Sequence, residues 1–425
     1  MSHKRRTLLL AVIVAIIATG CANNEPNASP TIASATPSSP PTEAASTEPP
    51  ASSPPQSEAP TDPKQLYYER SIVTKGEPAR IAAAMKRAKA GQPVTVGVIG
   101  GSITAGSLSS DANNKSWAAL IRNWWIDHFP ESRITFVNAG IGATGSLYGV
   151  HRVDQDLLAA NPDFVVIEFS VNDMGIATST ETYEGLVRKV LKSANKPGVV
   201  YLNMMNGSGN SWQSHFTPVN DKYGIPTISY REAVWPKIQA GELRWSDIAA
   251  DDVHPNDTGH AMAADLIVHY LDGVQASLDT IGDPDLTLPA PLTDNGYENA
   301  TVDNNKNLTP ASVGDWEAYS DPGLWGDGWK ATDKGKPLVL DVTAGYVTVN
   351  FARFNFVGKG AQAYVMIDGT TRIDLNADFS GGWGNYIESR TLLKEKEIKP
   401  HRLEFYYDDE PYSEFRISSL LIANY

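Results

Sequence analysis

Between residues 94 and 99 the chain reads "VTVGVI", then stops on Gly100 and Gly101 before Ser102. A continuous apolar run closed by glycine is the pattern of a strand buried on both faces, as in parallel sheets covered by helices. The pattern recurs at 134–138, 164–169, 198–203 and 225–229, with helical stretches at 117–128, 181–192 and 259–271 between these segments. Alternation of this kind predicts one α/β domain with a doubly wound, flavodoxin-like parallel sheet over residues 66–280. The paired glycines let the backbone turn sharply where the strand ends, at the carboxyl edge of the sheet, where open α/β folds place ligands. Ser102 stands there, as a reactive group or as the cap of the next helix.

The rest of the chain has a different texture. Residues 281–300 read as a linker, and 301–425 hold short β-branched and aromatic runs such as "YVTVNFARF" and "AQAYVMID", with an Asp368-Gly369 hairpin signal and no convincing helix. They predict an all-β sandwich of the jelly-roll kind. The amino end reads "MSHKRRTLLLAVIVAIIATGC": three basic residues, an apolar core from Leu8 to Ala18, then small residues. That order predicts a signal peptide over 1–21. The core falls short of the about 20 apolar residues that span a bilayer. Residues 22–65 are rich in Pro, Ser, Thr, Ala and Glu, a composition that cannot bury a core and reads as an extended tether.

Cys21 is the single cysteine, so an internal disulfide is excluded. Its place after "ATG" resembles the lipobox of bacterial lipoproteins, which implies lipidation of Cys21 and a membrane anchor. Ala18 stands where that motif prefers a larger aliphatic residue, leaving plain secretion as the alternative. The formal charge of -14, from 49 acidic and 35 basic residues, argues against a nucleic-acid partner.

A serine becomes a nucleophile when a base takes its proton and a third group holds that base in the right tautomer. "ADDVHPNDTGH" places His254 three residues after Asp251 in a polar loop, close enough for the carboxylate to fold back onto Nδ1. Asp252 is the rival orienter, with a spacing less suited to reach the ring. Asn256 or Asp257 would cap the following helix. His260 makes an H-x5-H pair with His254, too few ligands for a metal. Donors for a developing oxyanion could come from "NAGIGATGS" (138–146) or from Asn172 in "VVIEFSVND", whose other natural role is an Asx turn.

These stretches together resemble the SGNH hydrolases, or GDSL-type esterases. The four blocks of that family are matched in order by "GGSIT", "NAGIGATG", "SVND" and "DDVHPN". The resemblance implies Ser102 as nucleophile, His254 as general base and acid, and Asp251 as its orienter. It also implies an oxyanion hole from the Ser102 N–H, Gly142 and the Asn172 side chain, with Ala143 or Gly145 as substitutes for Gly142 because the loop is a residue short. No cofactor or metal is implied. Gly101 and Ser170 stand where the family usually has aspartate and glycine, departures shared by a "GGSIT" subset.

Several members of the family pair the hydrolase with a jelly-roll domain, and an exported esterase meets polymers first. The expected activity is removal of O-acetyl groups from carbohydrate, a polysaccharide above all; the alternatives are a lipase, arylesterase or thioesterase, or a non-catalytic glycan-binding surface lipoprotein. Trp316, Trp325, Trp329, Trp383 and Tyr386 could stack on sugars or fill a sandwich core, and the core is the commoner place for such rings.

Overall fold

Phe164, Val165, Val166 and Ile167 are four consecutive residues with no exposed surface. A helical layer on each side of their sheet accounts for it. A computed structural model describes residues 62–425 apart from 174–175, 322, 356–359, 383, 410–412 and 425. The signal peptide, most of the tether, Cys21 and Trp383 therefore lie outside the described residues. Among the described residues, no helix is long and apolar enough to cross a membrane.

The first sheet contains β1 (Ile72–Thr74), β2 (Val94–Gly100), β3 (Ile134–Gly140), β4 (Phe164–Glu168), β5 (Gly198–Asn203) and β6 (Thr227–Ser229), side by side as β1, β6, β5, β4, β2, β3. β2 to β6 run parallel, and β1 adds an antiparallel edge that the sequence pattern does not reveal. Because side chains alternate across a strand, Phe164 and Val166 pack in the layer of Met85, Trp125 and Leu271. Val165 and Ile167 pack with Val150, Leu186 and Phe216 on the other side. Winding changes direction between β2 and β4, and the crevice beyond their carboxyl ends is the usual ligand position in such sheets.

Some elements depart from the sequence pattern. β6 starts at Thr227 and not at 225, since Pro226 has no N–H to give the ladder. Helices Gln213–Tyr223 and Tyr230–Gln239 each contain a proline, which hides them from a periodicity reading. Helices 181–192 and 259–271 extend to Ile176–Lys192 and Asp257–Ala276.

The named strands of the second domain pair antiparallel throughout. Its strands are β7 (Thr301–Asp303), β8 (Glu317–Asp321), β9 (Gly326–Ala331), β10 (Leu338–Arg353), β11 (Gln362–Ile367), β12 (Thr371–Asn376), β13 (Tyr386–Tyr407) and β14 (Phe415–Ala423). They form one continuous sheet in the order β12, β11, β13, β10, β14, β9, β8, with β7 against β14. The two faces of the expected sandwich are thus halves of one sheet, joined by the long β10 and β13. Asp368 and Gly369 both have positive φ, 50° and 67°, as the β11 to β12 hairpin requires.

A register shift between Ala344 and Tyr346 changes which side chains face inward. Leu340, Val342 and Ala344 point into the sandwich before it, and Val347, Val349 and Phe351 after it. Tyr346 is thereby turned outward, where it packs with Tyr297 at 5.0 Å between ring centres and joins the helical layer of the first domain. Both rings are buried, which contributes on the order of 2 kcal/mol each. Trp316, Trp325 and Trp329 lie in the sandwich core, so they present no stacking platform for sugar.

Candidate active site

β2 ends at Gly100, where the chain doubles back so tightly that an added Cβ would stand 2.1 Å from Thr104 Oγ1 and 2.3 Å from the Glu168 carbonyl. Only glycine fits. One residue on, Ser102 opens the short helix Ser102–Ala105, which ends at Gly106 with φ 86°. Ser102 Oγ lies 2.8 Å from His254 Nε2.

The histidine comes from a loop closed by the Ala250 N–H, which donates to the His254 carbonyl at 2.9 Å. Asp251 folds back inside it. Oδ1 accepts from the N–H groups of Val253 and His254 at 2.8 and 2.6 Å, and Oδ2 faces His254 Nδ1 at 2.8 Å. Burial works to raise the Asp251 pKa, but the His254 and Val253 N–H groups and the imidazole outweigh it and hold the carboxyl below its ordinary value. With a carboxylate accepting from Nδ1–H, Nε2 keeps its lone pair for the serine hydroxyl. Asp252 makes a different contact: its carbonyl accepts from the Gly207 N–H at 2.8 Å.

Neighbours brace this loop. Trp245 Nε1 donates to the Asp251 carbonyl at 2.7 Å, and Asn256 caps the following helix by accepting from Gly259 N–H at 3.1 Å. Asp257 accepts from the N–H and hydroxyl of Ser110, both at 2.7 Å, tying the segment after the serine to the segment after the histidine. His260 is buried and accepts from the Trp117 N–H. Burial lowers its pKa to about 4, and no metal-binding group of side chains is found among the described residues.

Two further groups border Ser102. A Cβ on Gly142 would lie 3.8 Å from the serine Cβ, and a Cβ on Gly101 would lie 2.5 Å from Asn172 Oδ1. A Cβ on Gly145, the other glycine of this loop, would meet Asp173 Oδ1 at 2.0 Å. The N–H groups of Ser102 and Gly142 and the Asn172 side-chain amide make no hydrogen bond with a described residue. N–H groups without a described partner beside a serine can receive charge that develops on a carbonyl oxygen.

Next to them lies a cavity of about 480 Å³, lined by Ala143, Ser146, Asn172 and Asp173 from the first domain and by Tyr386, Glu388 and Arg390 on β13. Glu388 and Arg390 have no signal in the sequence, because their approach depends on how two domains pack.

A family model described as the GDSL-like Lipase/Acylhydrolase family matches residues 98–262, the stretch that carries Ser102, Gly142, Asn172, Asp251 and His254. A solved two-domain esterase (CEX) active on acetylated mannans is 34% identical, with a TM-score of 0.79, and the match covers 84% of this chain and 98% of that one. The chain belongs to the GDSL-like lipase/acylhydrolase family. This GDSL-like hydrolase is a carboxylic ester hydrolase whose α/β domain precedes a large antiparallel β domain, as in that esterase. The same esterase co-crystallized with mannopentaose matches at 34% identity and a TM-score of 0.78, over 84% of this chain and 97% of that one. The GDSL-like hydrolase is also similar to Thioesterase 1/protease 1/lysophospholipase L1 of Escherichia coli (strain K12), 26% identical over 187 residues, which are 42% of this chain and 83% of that protein.

Proposed function

We propose that the protein is a serine esterase that removes O-acetyl groups from a mannan-type polysaccharide. The observation that carries this reading is the chain of contacts from Ser102 Oγ through His254 to Asp251, 2.8 Å at each step. Ser102 Oγ attacks the ester carbonyl while His254 Nε2 takes its proton. The resulting oxyanion is received by the Ser102 and Gly142 N–H groups and the Asn172 amide. His254 then returns the proton to the departing sugar oxygen, leaving an acetyl group on Ser102, and the same base activates the water that releases acetate.

The substrate class rests on the similarity to an esterase active on acetylated mannans, which extends over both domains. A cavity walled by Asn172, Asp173, Glu388 and Arg390 suits hydroxylated ligands better than a long acyl chain. The sequence features at the amino end support export and lipidation at Cys21.

Acetate release from acetylated mannan oligosaccharides by the wild type and by Ser102→Ala tests the proposal. Release by the wild type alone is expected. Equal release by both proteins would reject the serine mechanism, and a preference for octanoyl over acetyl esters would reject the substrate class.

A further inference from the structure

Asn172 sits on the turn that follows β4, and a buried carboxyl stands at each end of that turn. Glu168, at the end of β4, is fully buried. Its Oε2 accepts from the Thr104 hydroxyl at 3.1 Å, and its Oε1 accepts from the Ser170 hydroxyl at 3.2 Å. Thr104 belongs to the helix that Ser102 opens, and Ser170 also receives the Met204 N–H at 2.6 Å. Asp173, at the far end of the turn, is 5% exposed and accepts the Ser146 N–H on Oδ1 at 2.6 Å. Ser146 begins the helix that follows the Gly142 loop. Gly145 makes this contact feasible, because any larger residue would put its Cβ against the Asp173 carboxyl.

Neither carboxyl forms an ion pair with a described residue. Burial pushes both up to about 7. Burying a carboxyl without a cation is costly, and an apolar residue would fill the same space more cheaply. The return on that cost is geometric: one carboxyl links the Asn172 turn to the serine segment, and the other links it to the Gly142 segment.

We infer that Glu168 and Asp173 are positioning residues, a pair of clamps that hold the Ser102, Gly142 and Asn172 donors at the spacing an oxyanion requires. The inference rests on the esterase reading above, in which those three groups receive the oxyanion. Glu168 is fully buried, out of reach of substrate, and Asp173 acts through the Ser146 N–H that its Oδ1 holds.

The test uses full-length protein and 4-nitrophenyl acetate, with a short alkylboronic acid as a tetrahedral mimic. Glu168→Ala and Asp173→Ala are each expected to lower kcat by about 10²-fold and leave KM within about threefold, because misplaced donors cost transition-state binding selectively. Boronate Ki should rise in step with the fall in kcat. Glu168→Gln and Asp173→Asn keep an acceptor in place and should restore most of the rate. Folded alanine variants with wild-type kcat, or a loss confined to KM with boronate affinity unchanged, would overturn the inference.

Thr104→Val removes a single hydroxyl and covers the case in which the alanine variants do not fold. About a tenfold fall in kcat is expected from it, and an unchanged kcat would overturn the Glu168 clamp. Ser102→Ala separates the two levels. Turnover that survives in Ser102→Ala defeats the esterase reading, whereas an inactive Ser102→Ala beside fully active Glu168→Ala and Asp173→Ala defeats the clamps alone.

Discussion

Gly101 and Asn172 are packed so closely that a methyl group on the glycine would lie 2.5 Å from Asn172 Oδ1. The amide can stand beside Ser102 only because the preceding residue has no side chain. Asn172→Ala is expected to lower kcat for an acetyl ester by roughly 10²-fold to 10³-fold, with little change in KM. Gly101→Ala should do the same by pushing the amide aside, and the double variant should be little worse than either single one. Additive losses in that cycle would mean that the two residues act separately.

His254→Ala should lower kcat by roughly 10⁵-fold and Asp251→Asn by roughly 10³-fold to 10⁴-fold. An asparagine at 251 can still accept the Val253 and His254 N–H groups. Its amide, however, would donate to Nδ1 and leave the proton on Nε2, where it blocks the serine. Steady-state kinetics with 4-nitrophenyl acetate distinguish the two, and wild-type activity in either variant would remove that residue from the mechanism.

Glu168 carries a pH signature in stability. Its pKa is raised by burial from 4.5 to about 7, so the folded state binds more protons than the unfolded state between those values. Its contribution is therefore most favourable below pH 4.5 and declines as pH rises through about 7. Glu168→Gln lacks that decline. The Tm of the variant relative to the wild type should rise between pH 5 and pH 8, in melts of roughly matched ionic strength; a constant difference would show that the carboxyl does not titrate there.

Glu298 predicts the opposite slope. Burial alone would raise its pKa, but Lys192, Arg188 and Asn295 outweigh it and bring the value from 4.5 to about 2. Arg188 Nε lies 2.7 Å from Oε2, and the pair joins the segment after the first domain to the helix Ile176–Lys192. The stabilisation is present above pH 4.5 and is lost as pH falls toward 2. Glu298→Gln should cost on the order of 1–3 kcal/mol at neutral pH, and its denaturation curve should converge on that of the wild type near pH 2. A gap that persists in acid would contradict the ion pair as the cause.

Local signals made the first domain readable. Buried parallel strands leave unbroken apolar runs, and the histidine loop is short enough for Asp251 and His254 to meet within three residues. Glu168 carries no such signal, because a carboxyl at the end of "FVVIE" looks like the point where a strand reaches water, yet the turn above it seals it in. Proline at 218 and 236 masked two helices. Tyr386 could be singled out as an aromatic residue, but its place on the cavity wall, with Glu388 and Arg390, follows from domain packing that no local pattern encodes. The same holds for Tyr346, which faces the first domain only because a bulge reverses the alternation of β10.

Diisopropyl fluorophosphate offers the most direct measurement, since an activated serine displaces its fluoride and keeps the phosphoryl group. Mass spectrometry of the digested, inactivated protein should find one label, on Ser102, in proportion to the activity lost, and none in His254→Ala. A label on another residue with Ser102 unmodified, or full turnover by protein labelled at Ser102, would contradict the mechanism.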